Sequence, residues 1–462
     1  MSSLDTSHSV DNSNTSYIDA YKALLKHRHW VVALSGGLDS TVLLHSVYHF
    51  LQTLPNVESN TPDTSSSSAF IPTLTAIHIN HQLQTVSDSW ERHCQSVCDG
   101  LGVSLQIKKV AVQSQGKGLE NAARQARYSV FEESLAADAV LLMGHHANDQ
   151  AETLLMRLFR GAGTRGAAGM PIQRSLGQSQ IARPLLKCNR ADLAAYALLN
   201  DLRFIEDPSN TDESFDRNFV RQQVLPKLEK RWPAIVSMLN RYSDHASADS
   251  ELLNDLAQLD LKSVDCTNDE YGDSLSIAAC LALSTKRRGN LLRYWLATHQ
   301  LTMPSTAQML QIDNLLISES SEAKVQLGIY RFCCYRDRLY LLSEQKLSDA
   351  AQALQEDLVW LFGEPMVIEG LGTLLVTDSL ADGVGLRDGE YTIGSRREGL
   401  RFRYRGMSRS LKKCFSEQGI PPWLRDHYPL LYAGDEVAAI PGVLVCDDYS
   451  LVGASRLDWQ WA

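Results

Sequence analysis

A short apolar run rich in β-branched residues, Trp30-Val31-Val32-Ala33-Leu34, stops at Ser35-Gly36-Gly37, and a helix-like pattern begins at Asp39. Strand, glycine loop and helix in that order commit this part of the chain to an α/β arrangement. The arrangement also leaves the free N–H groups of a helix N-terminus above the loop. Phosphate is the natural occupant of such a place. The spacing matches neither of the common phosphate loops, Gly-x-x-x-x-Gly-Lys-Ser/Thr or Gly-x-Gly-x-x-Gly. Adjacent glycines let backbone approach a ligand closely, and Ser35 and Ser40 add hydroxyls. A carboxylate beside phosphate is repulsive unless a cation lies between them, so Asp39 is expected to hold Mg²⁺. Read blandly, the same residues are a turn in which Asp39 favours the helix start.

The next segments repeat the pattern. Strands are expected at Leu74–Ile79, Leu105–Val110 and Ala139–Met143, and helices at Asp39–Leu51, Asp88–Leu101, Leu119–Ala137 and Asp149–Arg160. On the Asp88–Leu101 segment Trp90, Cys94, Val97 and Leu101 share one helical face. Repeated βα units predict a doubly wound parallel sheet, with ligands beyond the carboxyl ends of its strands. A length of 462 residues suggests roughly two to four domains. We place a polar, disordered tail at 1–18, the α/β domain at 19–230, a mainly helical middle domain at 231–345 and a small α+β domain at 360–462. A Ser-rich surface insertion is expected at Val57–Ser68.

Apolar residues at 44% and charged residues at 21% are normal for a globular chain. No apolar run is long enough to span a bilayer, and no signal core opens the chain, which predicts a cytoplasmic location and no membrane partner. Nine scattered cysteines without a Cys-x-x-Cys pair read as reduced thiols. A net charge of −10 argues against binding nucleic acid by overall charge. A local basic face exists nonetheless, from Arg396 to Arg425, with Arg396, Arg397, Arg401, Arg403, Arg405, Arg409, Lys412, Lys413 and Arg425 against Glu398 and Glu417.

After the strand ending at Met143 comes Gly144-His145-His146-Ala147-Asn148-Asp149-Gln150-Ala151-Glu152-Thr153. Asp149 and Glu152, three apart at a helix start, share a face and suit metal binding or general-base work. Acidic residues are favoured in a first turn anyway, which is the bland alternative. His145 and His146 lack a third ligand at suitable spacing, so zinc is rejected. Glu120, Arg124 and Arg127 line one face of the Leu119 helix. Arg124 reads as a clamp on phosphate or substrate, or as half of a surface ion pair with Glu120. Arg160-Gly161-Ala162-Gly163-Thr164-Arg165 reads as an RNA- or phosphate-facing loop, or as a helix cap. Arg183-Pro184-Leu185-Leu186, Glu206-Asp207-Pro208-Ser209-Asn210, Asp216-Arg217-Asn218 and Arg221 complete the set.

Taken in order, these motifs resemble the PP-loop (N-type) ATP pyrophosphatase family. Within it they resemble the tRNA(Ile)-lysidine synthase branch. The resemblance rests on Ser-Gly-Gly-x-Asp-Ser, Glu-x-x-Ala-Arg-x-x-Arg-Tyr, His-x-x-Asp-Gln-x-Glu-Thr, Arg-Gly-x-Gly, Arg-Pro-Leu-Leu and Glu-Asp-x-Ser-Asn…Arg-Asn. Gly419–Asp426 and Leu430–Glu436 extend it, so that it covers about Ala20 to Pro441. Asn148 departs from it, since many relatives carry a second Asp there.

The resemblance implies ATP-dependent ligation of free L-lysine to C2 of the wobble cytidine of a tRNA(Ile) with anticodon CAU. It implies that Ser35, Gly36, Gly37, Leu38, Asp39 and Ser40 bind ATP and that Asp39 holds Mg²⁺. Asp149 and Glu152 would bind or deprotonate lysine, with His145 and Arg124 in support. The tRNA would meet Arg160, Arg165, Arg217, Arg221, Arg396, Arg397, Arg401, Arg403, Lys412 and Lys413. Other readings stay open: a thiolase-type tRNA-modifying enzyme, an amidating enzyme, or a non-catalytic tRNA-binding protein. A homodimer is among the oligomeric states left open.

Overall fold

The computed structural model describes residues 17–55, 70–80, 87–110, 119–269, 271–318, 323–354, 357–361, 363–377, 384–397 and 399–461. The disordered-tail reading falls almost wholly outside these residues, with only Tyr17 and Ile18 described, in a helical turn. The Ser-rich insertion, and the side chain of Glu120 with its pairing to Arg124, also lie outside them. The chain forms two compact units, Met1–Glu251 and Leu252–Ala462.

In the first unit the strands are β1 (His29–Ala33), β2 (Thr73–Asn80), β3 (Ser104–Lys109), β4 (Ala139–Leu142), β5 (Gln173–Leu176) and β6 (Ser179–Ala182). They form one sheet in the order β3-β2-β1-β4-β6-β5. All neighbours are parallel except the edge pair β5–β6, which is an antiparallel hairpin. The doubly wound sheet expected from the βα alternation is therefore present, with one antiparallel edge. The helices between strands are α1 (Leu38–Gln52), α2 (Ser87–Leu101), α3 (Leu119–Ser134) and α4 (Ala147–Phe159).

Both sheet faces are covered, which is why β1 and β4 read as unbroken apolar runs rather than alternating ones. Trp30 and Val32 point into a core with Val42, Leu44, Cys94 and Cys98. Val31 and Ala33 point the other way, against Ile77, Phe131, Leu141 and Ile181. Strand order reverses at β1, so the connections leaving β1 and β4 run in opposite directions and open a crevice at their carboxyl ends. Gly144, just beyond β4, closes that crevice tightly. A Cβ there would stand 2.9 Å from the carbonyl oxygen of Asp39, so backbone at the start of α1 and backbone after β4 touch.

The second unit corrects the expectation of a mainly helical middle domain. Helices Thr285–Thr298 and Thr306–Ile317 pack on a five-stranded antiparallel sheet. Its strands are Thr267–Asp269, Gly272–Ser276, Lys324–Leu327, Tyr330–Tyr335 and Arg338–Ser343. Alternation is legible only in the last three. Thr267–Asp269 and Gly272–Ser276 hold a single large apolar residue, Leu275, and owe their strand form to pairing with Leu339, more than sixty residues away. The final segment is a small α+β unit as expected, with short strands and an α-helix at Leu411–Gln418. That helix packs Leu411 and Phe415 with Tyr428, Leu430 and Tyr432.

Candidate active site

The loop after β1 folds on itself. Ser40 Oγ accepts the N–H of Ser35 at 3.1 Å and lies 3.0 Å from Ser35 Oγ; it donates to the Gly37 carbonyl at 3.1 Å. Gly36 has φ +86°, a value that disfavours side chains, and its carbonyl accepts the N–H of Ile205 at 2.9 Å. Gly37 is the N-cap of α1 and supplies no side chain to cap it. The first-turn N–H groups of α1 therefore face the crevice without a side-chain acceptor, a geometry suited to phosphate.

Asp39 stands at the crevice with one oxygen bare. Its Oδ1 is buried and has no hydrogen-bond partner among the described residues. Its Oδ2 lies 3.7 Å from His146 Nε2. Burial pushes the Asp39 carboxyl above its ordinary value, with the nearby Asp149 charge adding to the rise and His146 opposing it. A buried, unsatisfied carboxylate oxygen is costly without a partner, and a bound cation is the partner that fits. Among the described residues no three His, Cys, Asp or Glu side chains gather as a metal cage. Mg²⁺ would be held here by the Asp39 carboxylate together with substrate phosphates, a common arrangement for that ion.

His146, which the sequence offered only as a zinc ligand to be set aside, has a different part in the site. It is buried and caps α4: its Nδ1 accepts the Asp149 N–H at 3.4 Å, while its own N–H donates to Asp149 Oδ2 at 3.1 Å. Because Nδ1 accepts, Nε2 is the ring nitrogen that carries a proton. Nε2 lies 3.4 Å from Asp149 Oδ2 and 3.7 Å from Asp39 Oδ2, so one imidazole stands between the two carboxylates. The legible signal was a histidine three residues before an aspartate at a helix start.

Asp149 and Glu152 share a face of α4, and both are buried. Their oxygens are taken up by two arginines. Arg217 donates to Asp149 Oδ1 and to Glu152 Oε2, each at 2.9 Å. Arg221 donates to Glu152 Oε1 at 2.7 Å, and at 2.9 Å to Glu152 Oε2 and to Asp149 Oδ1. Two carboxylates and two guanidiniums make a cluster of no net charge. Burial works to raise Asp149, but His146, Arg217 and Arg221 outweigh it and hold the carboxyl below its ordinary value. Arg217 and Arg221 were expected to face RNA; here they are turned into this cluster.

His145, next along the chain, accepts from Arg183 Nε at 3.3 Å through its Nδ1. Burial, reinforced by Arg183, Arg217 and Arg124 against Asp149, drops the imidazole from 6.5 to about 3. It is therefore neutral at physiological pH. Between pH 3 and 6.5 the unfolded chain binds the proton that the folded one refuses, so stability falls as pH drops through that window. Urea midpoints measured from pH 4.5 to 7 are expected to show this loss in the wild type and a shallower one in His145→Gln. Parallel curves for the two proteins would contradict it.

Asn148 has a structural use: its Oδ1 accepts the N–H of Arg190 at 3.1 Å, at the start of the helix Arg190–Leu199. Arg160 is exposed and pairs with Asp216 at 3.4 Å, and Arg165 lies on the short helix Thr164–Ala167. In the second unit Arg396 pairs with Asp426 at 3.3 Å. Arg397 pairs with Asp435 at 3.1 Å and lies over the Tyr432 ring. Arg401 and Arg403 lie on the hairpin Arg401–Tyr404/Met407–Ser410, Lys412 and Lys413 on the helix after it, and all four are exposed.

Residues 9–228 match the PP-loop domain model, 275–340 the TilS substrate-binding domain and 391–461 the TilS substrate C-terminal domain. The tRNA(Ile)-lysidine synthase of Coxiella burnetii is 34% identical over 451 residues, covering 95% of this chain and 93% of the relative. That of Serratia proteamaculans is 37% identical, covering 94% and 96%, and that of Pseudomonas putida 38%, covering 93% and 95%. The chain belongs to the tRNA(Ile)-lysidine synthase family. Like other PP-loop proteins, this lysidine synthase homologue uses ATP. Among the described residues no helix is long and apolar enough to cross a membrane.

Proposed function

We propose that this chain ligates free L-lysine to C2 of the wobble cytidine of a tRNA(Ile) with anticodon CAU. ATP is consumed to AMP and pyrophosphate, and decoding shifts from AUG to AUA. The observation that carries the reading is the meeting, at the reversal point of one sheet, of the Ser35–Ser40 loop with the Asp149–Glu152–Arg217–Arg221 cluster. Similarity to lysidine synthases along nearly the whole chain supports it.

The C2–O bond of cytosine is a poor leaving bond until AMP is attached to the oxygen. Ser35, Gly36, Gly37, Leu38 and Ser40 cradle the ATP phosphates with backbone N–H groups and hydroxyls. Asp39 would hold Mg²⁺, which when bound neutralises charge on the departing pyrophosphate. His146 stands between Asp39 and Asp149, beside both the metal-side and the amine-side carboxylate. Lysine carries its ε-amine protonated, with a pKa of ~10.4, and must lose that proton to attack C2. Asp149 and Glu152 attract the ammonium and lie ready to take the proton, in competition with Arg217 and Arg221 for the same oxygens. Neutral His145 offers a hydrogen-bonding ring without adding positive charge beside the amine, and Arg124 contacts a phosphate.

Cytosine in an anticodon loop can be splayed out and read by its edges. Arg160 and Arg165 near α4 and the exposed Arg401, Arg403, Lys412 and Lys413 meet the RNA backbone, with Arg396 and Arg397 beside them. We assign residues 19–230 to adenylation, 231–345 to substrate binding and 360–462 to tRNA binding, in a cytoplasmic enzyme. The test is incorporation of labelled lysine into a tRNA(Ile) transcript with anticodon CAU. Incorporation is expected with AMP and pyrophosphate released in equal amounts, and none into a methionine tRNA with the same anticodon. ATP use without lysine transfer, or sulfur transfer in its place, would overturn the reading.

A further inference from the structure

Tyr128, half-buried on α3, gathers positive charge. The guanidinium of Arg124 lies 5.2 Å from its ring centroid and that of Arg174 lies 4.9 Å from it. Burial works to raise the Tyr128 phenol, yet Arg124, Arg174 and Arg183 together hold it below its ordinary value. Among the described residues no carboxylate pairs with Arg124 or Arg174. Arg174 donates to the Ser175 carbonyl at 3.1 Å, and Arg183 to the Pro171 carbonyl at 2.7 Å and to His145. The chain as a whole carries a net charge of −10, yet three arginines stand together here, none of them paired with a carboxylate among the described residues. Like charges held together repel, and a bound anion reverses the sign of that interaction.

The position of the cluster narrows the anion. Arg174 on β5 stands opposite Ile181 of β6, and Ala182 of β6 stands opposite Leu142 of β4. Arg174 and Arg183 thus lie at the same carboxyl edge as the Ser35–Ser40 loop. The Tyr128 hydroxyl donates toward Met143 Sδ at 3.8 Å, just past the end of β4. In the sheet order β1-β4-β6-β5, β6 is two strands from β1 and β5 three. At about 4.8 Å per strand the cluster is displaced roughly 10 Å or more from the phosphate loop. Planar guanidiniums grip phosphate bidentately, and stacking on an aromatic face keeps them in place for it.

We propose that Arg124, Arg174 and Tyr128 form a second phosphate seat, which grips a backbone phosphodiester of the tRNA beside the cytidine being modified. The proposal rests on the lysidine-forming reading for the identity of the RNA. Arg124 and Arg174 bind the phosphate, and Tyr128 is a positioning residue that acts through them.

The test uses the full chain, a tRNA(Ile) transcript, and the variants Arg174→Ala and Arg174→Lys. For Arg174→Ala, tRNA binding should weaken about tenfold and the slope of log K against log salt should flatten by about one. The KM for ATP should stay unchanged, and kcat at saturating tRNA should stay within about threefold. Arg174→Lys should restore the salt slope and only part of the affinity, because it keeps the charge and loses the fork. Equal urea midpoints would show that the variants fold. Unchanged tRNA affinity and salt slope would overturn the proposal. A raised KM for ATP with tRNA binding intact would also overturn it, by giving the phosphate to the nucleotide. Absence of lysidine from the wild type would sink the functional reading alone, since affinity and salt slope are read on binding and still decide the seat.

Discussion

Asp39→Ala is expected to cut lysidine formation by about 10³-fold or more, to leave tRNA affinity unchanged, and to make the protein more resistant to urea at pH 7. The loss of rate follows from removing a carboxylate that stands beside the Ser35–Ser40 loop with a buried oxygen lacking a partner among the described residues. Single groups that stabilise developing charge in a dry site are worth about 10²–10³ in rate, and a group that also holds a metal ion is worth more.

The gain in stability has the opposite origin. The folded pKa of Asp39 is raised above its ordinary 3.8. A raised folded pKa means that the unfolded chain ionises first. The fold is therefore unaffected by this group below pH 3.8 and is weakened as pH rises through the folded value. The penalty builds as pH rises above 3.8 toward the raised folded value, and alanine removes it. The urea midpoints of the two proteins should converge in acid and separate at pH 7. Activity retained within tenfold would contradict the role of Asp39, and a lower midpoint at pH 7 would contradict the electrostatic account. A site residue that weakens the fold it belongs to is the expected trade between stability and function.

Glu152→Ala should do the reverse to stability, lowering it by about 3 kcal/mol. Glu152 is 1% exposed and accepts three hydrogen bonds, one from Arg217 and two from Arg221. Its removal leaves two guanidiniums to share one carboxylate, that of Asp149. Breaking a buried ion pair from one side costs about 3–5 kcal/mol, mostly through the charge left behind. Side chains of Arg217 and Arg221 are 24% and 26% exposed, so water can reach them, and the lower end of that range applies.

The companion measurement is a double-mutant cycle with Arg221→Ala. Removing both partners should cost clearly less than the sum of the two single losses. Simple additivity, or a Glu152→Ala loss below about 1 kcal/mol, would mean that the cluster is not the buried, balanced unit its distances describe. Lysine transfer should fall in Glu152→Ala as well. Intact transfer would separate the structural role of this carboxylate from any role toward the amine.

The parts of the fold that were legible in the sequence are those whose signal is local. β1 and β4 are apolar on both faces, and α1 follows a glycine loop; each was placed to within two residues. The doubly wound order followed from alternation, because a strand and the helix after it must pack together whatever lies elsewhere. The second sheet was only half legible. Lys324–Leu327, Tyr330–Tyr335 and Arg338–Ser343 pair as successive hairpins and show alternation, whereas Gly272–Ser276 depends on a partner far along the chain.

The candidate site divides in the same way. The glycine loop, Asp39 beside it and the acidic pair at the start of α4 were legible in residue order alone. Each is a pattern within a few residues, and backbone geometry carries it. Only the tertiary structure decided what those groups meet. Arg217 and Arg221 reach Asp149 and Glu152 across 65 to 72 residues of chain, His146 stands between two carboxylates, and Arg174 comes from the sheet edge to share Tyr128 with Arg124. The physical reason is that charge acts through space, with a strength set by distance and burial. Spacing along the chain names which residues carry charge; packing decides which of them are neutralised and which, like Asp39, keep an unpartnered buried oxygen.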